Sequence, residues 1–231
     1  MRCSIAIATR EKAEYLDRTL QSIRCQDIQV PHEIIVVNDN VHEQATAHVC
    51  AKWDVERYIT TGNPTYRNPA AARNLAYKVS TGDIIIAQSD EVMHKSPKAV
   101  DDLCNRLHEN QFIVAQVYNY SVESGKLLQR YTGTRCQRPF FFLGSLWRED
   151  LYAVGGCDED FIEPGFDDNW FADCLIAGLG LTAVYEDTII GLHQDHPRPT
   201  NLASRVRHSN ILYHEKVQRG VYKASGGPWE C

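Results

Sequence analysis

The feature that most constrains the fold is an alternation of strand-like and helix-like segments over the first 90 residues. Short apolar, β-branched runs typical of buried strands occur at residues 3–8, 32–37 and 55–60 and in the run DIIIAQ from residue 83. Apolar residues at helical spacing lie between them, at residues 11–24, 45–53 and 69–79. Strands and helices that alternate through short connections predict an α/β fold, with a mostly parallel sheet flanked by helices.

The second half of the chain departs from this regular alternation. A helix is predicted from Ser96-Pro97 through Leu107. Strand-like runs then follow at residues 112–120, 127–131 and 140–146 without long helices between them, so the sheet becomes mixed. A chain of 231 residues without an internal repeat or an obvious linker predicts a single domain.

Charge, hydropathy and cysteine usage disfavour several classes of protein. The net charge of −6 gives no support to a nucleic-acid partner. No apolar run is long enough to span a bilayer, and the first residues are too soon polar for a signal peptide. The eight cysteines include no Cys-x-x-Cys pair, so we expect free thiols that pack in the core of a cytoplasmic protein.

Polar residues follow the predicted strands at the points where each strand ends. They are Thr9-Arg10, Asn38-Asp39-Asn40, the loop before Asn68, and Asp90-Glu91. Each group alone is typical of a turn. In an open α/β sheet, however, ligands bind beyond the carboxyl ends of the strands, where these groups converge. Asp39 is therefore a candidate for binding a nucleobase or ribose, and Asp90 for binding a divalent cation on a diphosphate.

The glycine motifs of two large nucleotide-binding classes are missing. No Gly-x-Gly-x-x-Gly follows the first strand, and no Gly-x-x-x-x-Gly-Lys-Ser/Thr occurs in the first half. A dinucleotide dehydrogenase and a P-loop phosphotransferase are therefore disfavoured. A phosphate bound through a metal ion fits the residues that are present.

Four segments in this order resemble a known family: CSIAIATREKAEYLDRTLQSI, EIIVVNDN, NPAAARNLAYKVSTGDIIIAQSDE and GGCDEDFIEPGFDDNWFADCLIAGL. Together they resemble a family 2 type glycosyltransferase with the GT-A fold. The resemblance implies a Rossmann-like domain over residues 1–203, with a nucleotide-sugar half at about 1–95 and an acceptor and catalytic half at about 96–203. Residues 204–231 are set apart as a basic C-terminal tail, partly helical and partly mobile.

The resemblance implies a nucleotide-diphosphate sugar as donor, with a UDP-sugar favoured, and a divalent cation, Mn²⁺ or Mg²⁺, on its diphosphate. Thr9, Arg10 and Asp39 fall at the nucleoside, and Arg73 at the base or the diphosphate, with Asn74 bracing the loop. The Asp-x-Asp motif of the family falls on Gln88-Ser89-Asp90. Asp90 keeps the metal-binding role, whereas Gln88 and Ser89 are assigned to the donor nucleotide. Glu91 either compensates for the missing charge or faces solvent.

The late motifs complete the expected site. Asp167-Asp168 begins a predicted helix, where an aspartate commonly serves as a cap. The resemblance instead implies the catalytic base of an inverting enzyme here, with Asp168 preferred. It also implies a late histidine as metal ligand, and His193 is preferred over His196, with Asp195 orienting either ring.

The predicted function is therefore metal-dependent transfer of a sugar to the hydroxyl of an unknown acceptor. Two alternatives stay open. One is a nucleotidyltransferase, although the loop after the first strand lacks the expected glycines. The other is a non-catalytic nucleotide-sugar-binding protein, for which Gln88 is the best argument.

Overall fold

The structure is a computed structural model that describes residues 1–62, 68–139, 141–198 and 200–230. Within these residues the chain forms nine strands and seven α-helices. The strands are β1 Cys3–Thr9, β2 His32–Asn38, β3 Arg57–Thr60, β4 Ile84–Ser89, β5 Val92–His94, β6 Gln111–Ser121, β7 Lys126–Arg130, β8 Leu143–Trp147 and β9 Thr182–Gln194. The helices are α1 Ala13–Arg24, α2 Ala45–Lys52, α3 Ala70–Val79, α4 Ala99–Asn105, α5 Arg148–Val154, α6 Asp167–Asp173 and α7 Leu202–Arg219.

All nine strands belong to one mixed sheet, which confirms the predicted fold class. Its order is β3-β2-β1-β4-β8-β6-β9-β5, and β7 pairs with the outer part of β6. The neighbours among β1 to β4 are parallel. Strand β8 runs antiparallel between β4 and β6, and β5 runs antiparallel to β9. Strands β6 and β9 also pair in parallel, so the parallel character predicted for the sheet extends into the second half of the chain, where the other pairs are antiparallel.

The helices cover both faces of the sheet, and an apolar core lies under each. On one face, Leu16, Leu20 and Ile23 of α1 pack with residues of α4 against the sheet. On the other face, α3, α5 and α6 form the second core, which includes the fully buried Trp170. The seven described cysteines are free thiols, and five of them are buried. This agrees with the packing role expected for them, while Cys231 lies outside the described residues.

The turn into β4 shows why a glycine is required at position 82. A Cβ atom there would lie 2.6 Å from the backbone carbon of Cys3 on the neighbouring strand. The backbone N–H of Gly82 also donates a hydrogen bond of 2.8 Å to the hydroxyl of Ser4. The close approach places β4 beside β1 and so brings its carboxyl end next to that of β1.

Several boundaries differ from those predicted. Helix α3 begins at Ala70, although Asn68 accepts the expected capping hydrogen bond from the Ala70 N–H at 2.9 Å. Helix α4 begins at Ala99, after the turn at Ser96-Pro97. Strand β8 begins at Leu143, and Phe140, where that strand was expected to start, lies outside the described residues. The short β5 and α5 were not predicted, because three to seven residues carry little periodicity.

Residues 204–231 were expected to form a separate tail, but their described part, residues 204–230, packs against the rest of the domain. Helix α7 begins before the predicted boundary, at Leu202, and ends at Arg219. The buried Lys216 Nζ lies 2.9 Å from an Asp158 carboxylate oxygen and 2.7 Å from one of Asp160. Further on, the ring of Trp229 packs edge-on against Tyr152. The described residues after 203 therefore belong to the same packed unit.

In the part of the chain that the structure describes, no helix combines the length and the apolar character needed to cross a membrane.

We expect Lys216→Ala to destabilise the protein by about 3 kcal/mol, because it leaves the Asp158 carboxylate, which is 1 % exposed, without its cationic partner. Thermal unfolding of the two proteins measures the effect. Lys223→Ala, which removes an exposed ammonium only a few residues away, is the matched control and should stay within about 0.5 kcal/mol of the parent. Equal melting temperatures for Lys216→Ala and the parent would contradict this account of the C-terminal segment.

Candidate active site

A cavity of about 820 Å³ opens at the carboxyl ends of β1 and β4. Its opposite wall comes from β6, β7 and α6 and from the residues that end and follow β9. The predicted metal ligands, Asp90, His193 and His196, all line this cavity. It is also lined by Asp167 and Asp168, the candidates for the base, and by Arg73, Gln88 and Ser89. Segments far apart in the sequence therefore meet in one space.

Glu91, which follows β4, contacts His193 at the end of β9 and His196 just after it, at the edge of the cavity. The Glu91 carboxylate oxygens lie 3.1 Å from His193 Nε2 and 3.1 Å from His196 Nε2, and Lys12 forms an ion pair with the same carboxylate. The possible ligand atoms of the three residues all lie within 4.8 Å of one another. A carboxylate with two imidazoles is a donor set that suits a first-row divalent cation such as Mn²⁺. The three residues therefore fit the expected metal.

The charges around Glu91 keep it ionised. Burial by itself would raise its pKa, but hydrogen bonds from His193 and His196 and the charge of Lys12 lower the pKa below its usual range. The hydrogen bond with Glu91 raises the pKa of His196 in turn. Glu91 is 5 % exposed and lies inside the site, so of the two alternatives for this residue the one in which it faces solvent is wrong.

Asp90 precedes Glu91 in the chain but is not part of the cluster of Glu91, His193 and His196. It is buried, and burial raises the pKa of its carboxyl group to about 6, with Lys12 opposing the shift and Glu91 adding to it. Its backbone carbonyl accepts a hydrogen bond of 2.8 Å from the hydroxyl of Thr19 on α1. Two adjacent carboxylates at the tip of β4 are thus both available to the cavity, and the histidines contact Glu91.

Gln88, which stands where the family pattern has its first aspartate, is bound to protein groups. Its Nε2 donates to the carbonyls of Ser89 and Val92, each at 2.8 Å. Its Oε1 lies 2.7 Å from Nε2 of the buried His94. Burial lowers the pKa of His94 to about 4, so the ring is neutral and can donate to the neutral amide. Gln88 lines the cavity, but its amide already has these partners.

Arg73 connects α3 to the carboxylates of α6. One guanidinium nitrogen, Nη1, lies 3.4 Å from Asp168 Oδ1 and 3.7 Å from Asp167 Oδ2. Burial and the charge of Asp167 nevertheless raise the pKa of Asp168 to about 7. A carboxyl group with a pKa near neutrality has the property that a general base requires.

The competing interpretation of Asp168 as a helix cap does not match the helix terminus. The residue at the N-cap position of α6 is Phe166, with a φ of 63°, and no side chain makes a capping hydrogen bond there. Asp167 and Asp168 instead occupy the first turn of the helix and face the cavity.

The residues that support α6 include Asn74. Its Nδ2 donates to the Cys157 carbonyl at 2.8 Å, and its Oδ1 accepts from the Cys157 N–H at 2.8 Å. Asn74 therefore braces the loop that leads toward α6, as expected.

Three of the predicted nucleotide-binding residues cluster at the ends of β1 and β2. The backbone N–H of Asp39 donates to the carbonyl of Thr9, and Arg10 Nη1 donates to the carbonyl of Asp39 at 3.0 Å. The Asp39 carboxylate accepts a hydrogen bond from the hydroxyl of Thr61. These three side chains are outside the described walls of the cavity. In the loop before Asn68, residues 63–67 lie outside the described residues.

Sequence reasoning did not identify four of the residues that line the cavity, which are Asn119, Gln129, Tyr131 and Arg198. Asn119 on β6 donates a hydrogen bond of 2.9 Å from Nδ2 to Asp195 Oδ1, so Asp195 contacts an amide and not a histidine ring in the described contacts. No local motif marks these four residues, because they come together only through the pairing of β6 with β7 and β9.

Comparison with known families decides the identity of the domain. The model of the family described as glycosyl transferase family 2 matches residues 4–159. The chain belongs to glycosyltransferase family 2. The match begins within β1, continues past the end of α5, and ends before Asp167, Asp168 and the two histidines of this family 2 chain. A comparison with curated proteins found no match.

Solved glycosyltransferases share the fold of this family 2 chain. A mannosyltransferase from Pyrobaculum calidifontis, solved with GDP-Man and Mn²⁺, superposes with a TM-score of 0.66 at 18% identity, over 94% of this chain and 64% of that one. TarS of S. aureus gives a TM-score of 0.61 at 14% identity, over 98% of this chain and 44% of that one. TarS residues 1–349 in complex with UDP give 0.59 at 14% identity, over 95% and 71% of the two chains.

The chain thus spans less than two thirds of the first two of these proteins. The superpositions confirm the GT-A fold.

Proposed function

We propose that the protein transfers a sugar from a nucleotide-diphosphate sugar to an acceptor hydroxyl, with inversion at the anomeric carbon. The observation that carries the proposal is one cavity lined by both a Glu91–His193–His196 cluster and a carboxyl group, Asp168, with a pKa of about 7. Membership of family 2 supports the reaction class, and the neighbours solved with GDP-Man or UDP support a nucleotide-sugar donor. A UDP-sugar stays the favoured donor.

The donor is assigned to the first half of the chain, residues 1–95. The ends of β1 and β2 carry Thr9, Arg10 and Asp39, which we assign to the nucleoside. Lys12 and Arg73 line the cavity and supply positive charge for a diphosphate. Residues 96–203 then contribute the acceptor side of the cavity and the base.

Glu91, His193 and His196 would bind the divalent cation, with Asp90 beside them. When bound, the cation would neutralise the diphosphate of the donor and of the leaving nucleoside diphosphate. The two imidazole nitrogens favour Mn²⁺, since Mg²⁺ prefers oxygen ligands throughout. The neighbour solved with Mn²⁺ agrees with this preference.

Asp168 would take the proton of the acceptor hydroxyl as that oxygen attacks the anomeric carbon. Its carboxyl group faces the cavity, and Arg73 at 3.4 Å holds it in position. Because the acceptor attacks directly, this scheme needs no covalent intermediate on the enzyme.

The direct test is release of free nucleoside diphosphate from UDP- and GDP-sugars in the presence of Mn²⁺, with and without candidate acceptors. A transferase releases the nucleoside diphosphate, and acceptor increases the rate. Donor binding without any turnover would support the non-catalytic alternative. If calorimetry in the presence of Mn²⁺ detects no binding of any nucleotide sugar, that result would contradict the proposal.

Asp39→Ala is expected to weaken binding of the preferred nucleoside diphosphate about tenfold, and to weaken binding of the other nucleoside diphosphates less. The reason is that uracil and guanine each carry a ring N–H that can donate a hydrogen bond to a carboxylate. Calorimetry with UDP, GDP and ADP measures the difference. Thr61→Ala, which removes the hydroxyl that contacts Asp39, should give a smaller effect of the same kind. Equal losses for all three nucleotides would mean that Asp39 has a structural role.

A further inference from the structure

We propose that the wall formed by Asn119, Gln129 and Asp195 binds the acceptor, and that the acceptor is a neutral sugar or another group rich in hydroxyls. The inference rests on the proposed function, because only a transferase requires an acceptor in this cavity. The three residues come from β6, β7 and the segment after β9, and all of them line the cavity.

The orientation of Asn119 supplies the first observation. Its Nδ2 donates to Asp195 Oδ1 at 2.9 Å, and since a carboxylate can only accept, the amide cannot be flipped. The Oδ1 atom of Asn119 is therefore the one that does not contact Asp195. This oxygen is buried, in a residue 8 % exposed, and has no hydrogen-bond partner among the groups the structure describes. A buried acceptor without a partner is rare in proteins, and a ligand hydroxyl that donates to it would satisfy it.

The strand pairing supplies the second observation. Gln129 on β7 is directly opposite Asn119 in the antiparallel pairing of β6 and β7, and its side chain is exposed at the cavity. Two amides and a carboxylate in one wall offer both donors and acceptors within a small area. Each sugar hydroxyl donates one hydrogen bond and can accept others, so this set of groups matches neighbouring hydroxyls on a ring.

The charge of this wall favours a neutral acceptor over a phosphorylated one. Asp195 places a carboxylate beside the amide of Asn119, whose oxygen has no partner among the groups the structure describes. The carboxylate and the amide oxygen both repel an anion. The arginine on the same side, Arg198, donates a hydrogen bond to the hydroxyl of Tyr131. The metal cluster and Lys12 provide the charges that suit a diphosphate.

The experiment uses the full chain with Mn²⁺ and the donor that the parent protein binds best. The acceptor probes are neutral p-nitrophenyl hexosides and, for comparison, glycerol 3-phosphate, with product detected by mass spectrometry. Gln129→Ala should raise the KM for the hexoside roughly tenfold, as expected for a lost hydrogen bond, and leave donor affinity unchanged. Asn119→Ala should raise it at least as much.

Gln44→Ala, which truncates an exposed glutamine at the start of α2, is the matched control and should leave the acceptor KM unchanged. The exposed Gln129 keeps the test valid even if Asn119→Ala fails to fold. An unchanged acceptor KM in Gln129→Ala, weaker donor binding in that variant, or transfer to glycerol 3-phosphate and to no hexoside would each overturn the inference. A parent protein that binds no nucleotide sugar would instead refute the proposed function, which separates the two failures.

Discussion

Asp168→Asn is expected to lower turnover by roughly two to four orders of magnitude while donor binding stays intact, because asparagine cannot accept the proton of the acceptor hydroxyl. The parent rate should rise with pH and reach a plateau above about pH 7, where the carboxyl group loses its proton. Measuring kcat against pH for the parent and the variant tests both statements. A variant with full activity would remove the base from the proposed mechanism.

Folding stability separates this role from a structural one. The pKa of Asp168 is raised on folding, so its protonated form is favoured in the folded state, and stability falls as pH rises from about 4 to about 7. The neutral amide of Asp168→Asn does not ionise, so the variant does not lose stability in this way. At pH 8 it should therefore melt at the same temperature as the parent or at a higher one. Asp167→Asn is the matched control and should keep most of its turnover. Loss of turnover in Asp167→Asn alone would assign the base to Asp167.

Glu91→Gln is expected to weaken Mn²⁺ binding by at least tenfold and to abolish most of the transferase activity, because it removes the carboxylate shared by both histidines. The Mn²⁺ signal of free ion in electron paramagnetic resonance measures binding without any need for turnover. Chelation with EDTA should stop the parent enzyme, and Mn²⁺ should restore it better than Mg²⁺.

The neighbouring carboxylate provides the discriminating comparison. If Glu91, His193 and His196 hold the ion, Asp90→Asn should weaken Mn²⁺ binding less than Glu91→Gln does. If Asp90 is the main ligand, as the family pattern implies, Asp90→Asn should weaken Mn²⁺ binding more. Glu123→Gln, at an exposed position in the β6–β7 hairpin, is the control and should bind Mn²⁺ like the parent. Full activity of the parent in excess EDTA would contradict a metal requirement altogether.

Much of the fold could be predicted from local patterns. The alternation of β-branched runs with helical periodicity identified β1 to β4 and α1 to α3, because buried parallel strands and amphipathic helices each leave a regular signal. The same pattern placed Asp90 and Glu91 at the end of β4, on the edge where a ligand would bind. The short β5 and α5 left no such signal, and their positions depend on what they pack against.

The sequence by itself therefore determined the α/β class, the family resemblance and the candidate residues at the ends of the strands. Tertiary structure alone decided which of them meet. Strand β5 pairs with β9 so that Val92 is opposite His193, and the Gln194 N–H donates to the Glu91 carbonyl at 2.9 Å. That register brings Glu91, and not Asp90, against the two histidines. Pairing between strands so distant in the chain depends on the packing of the whole sheet, which no local pattern of residues specifies.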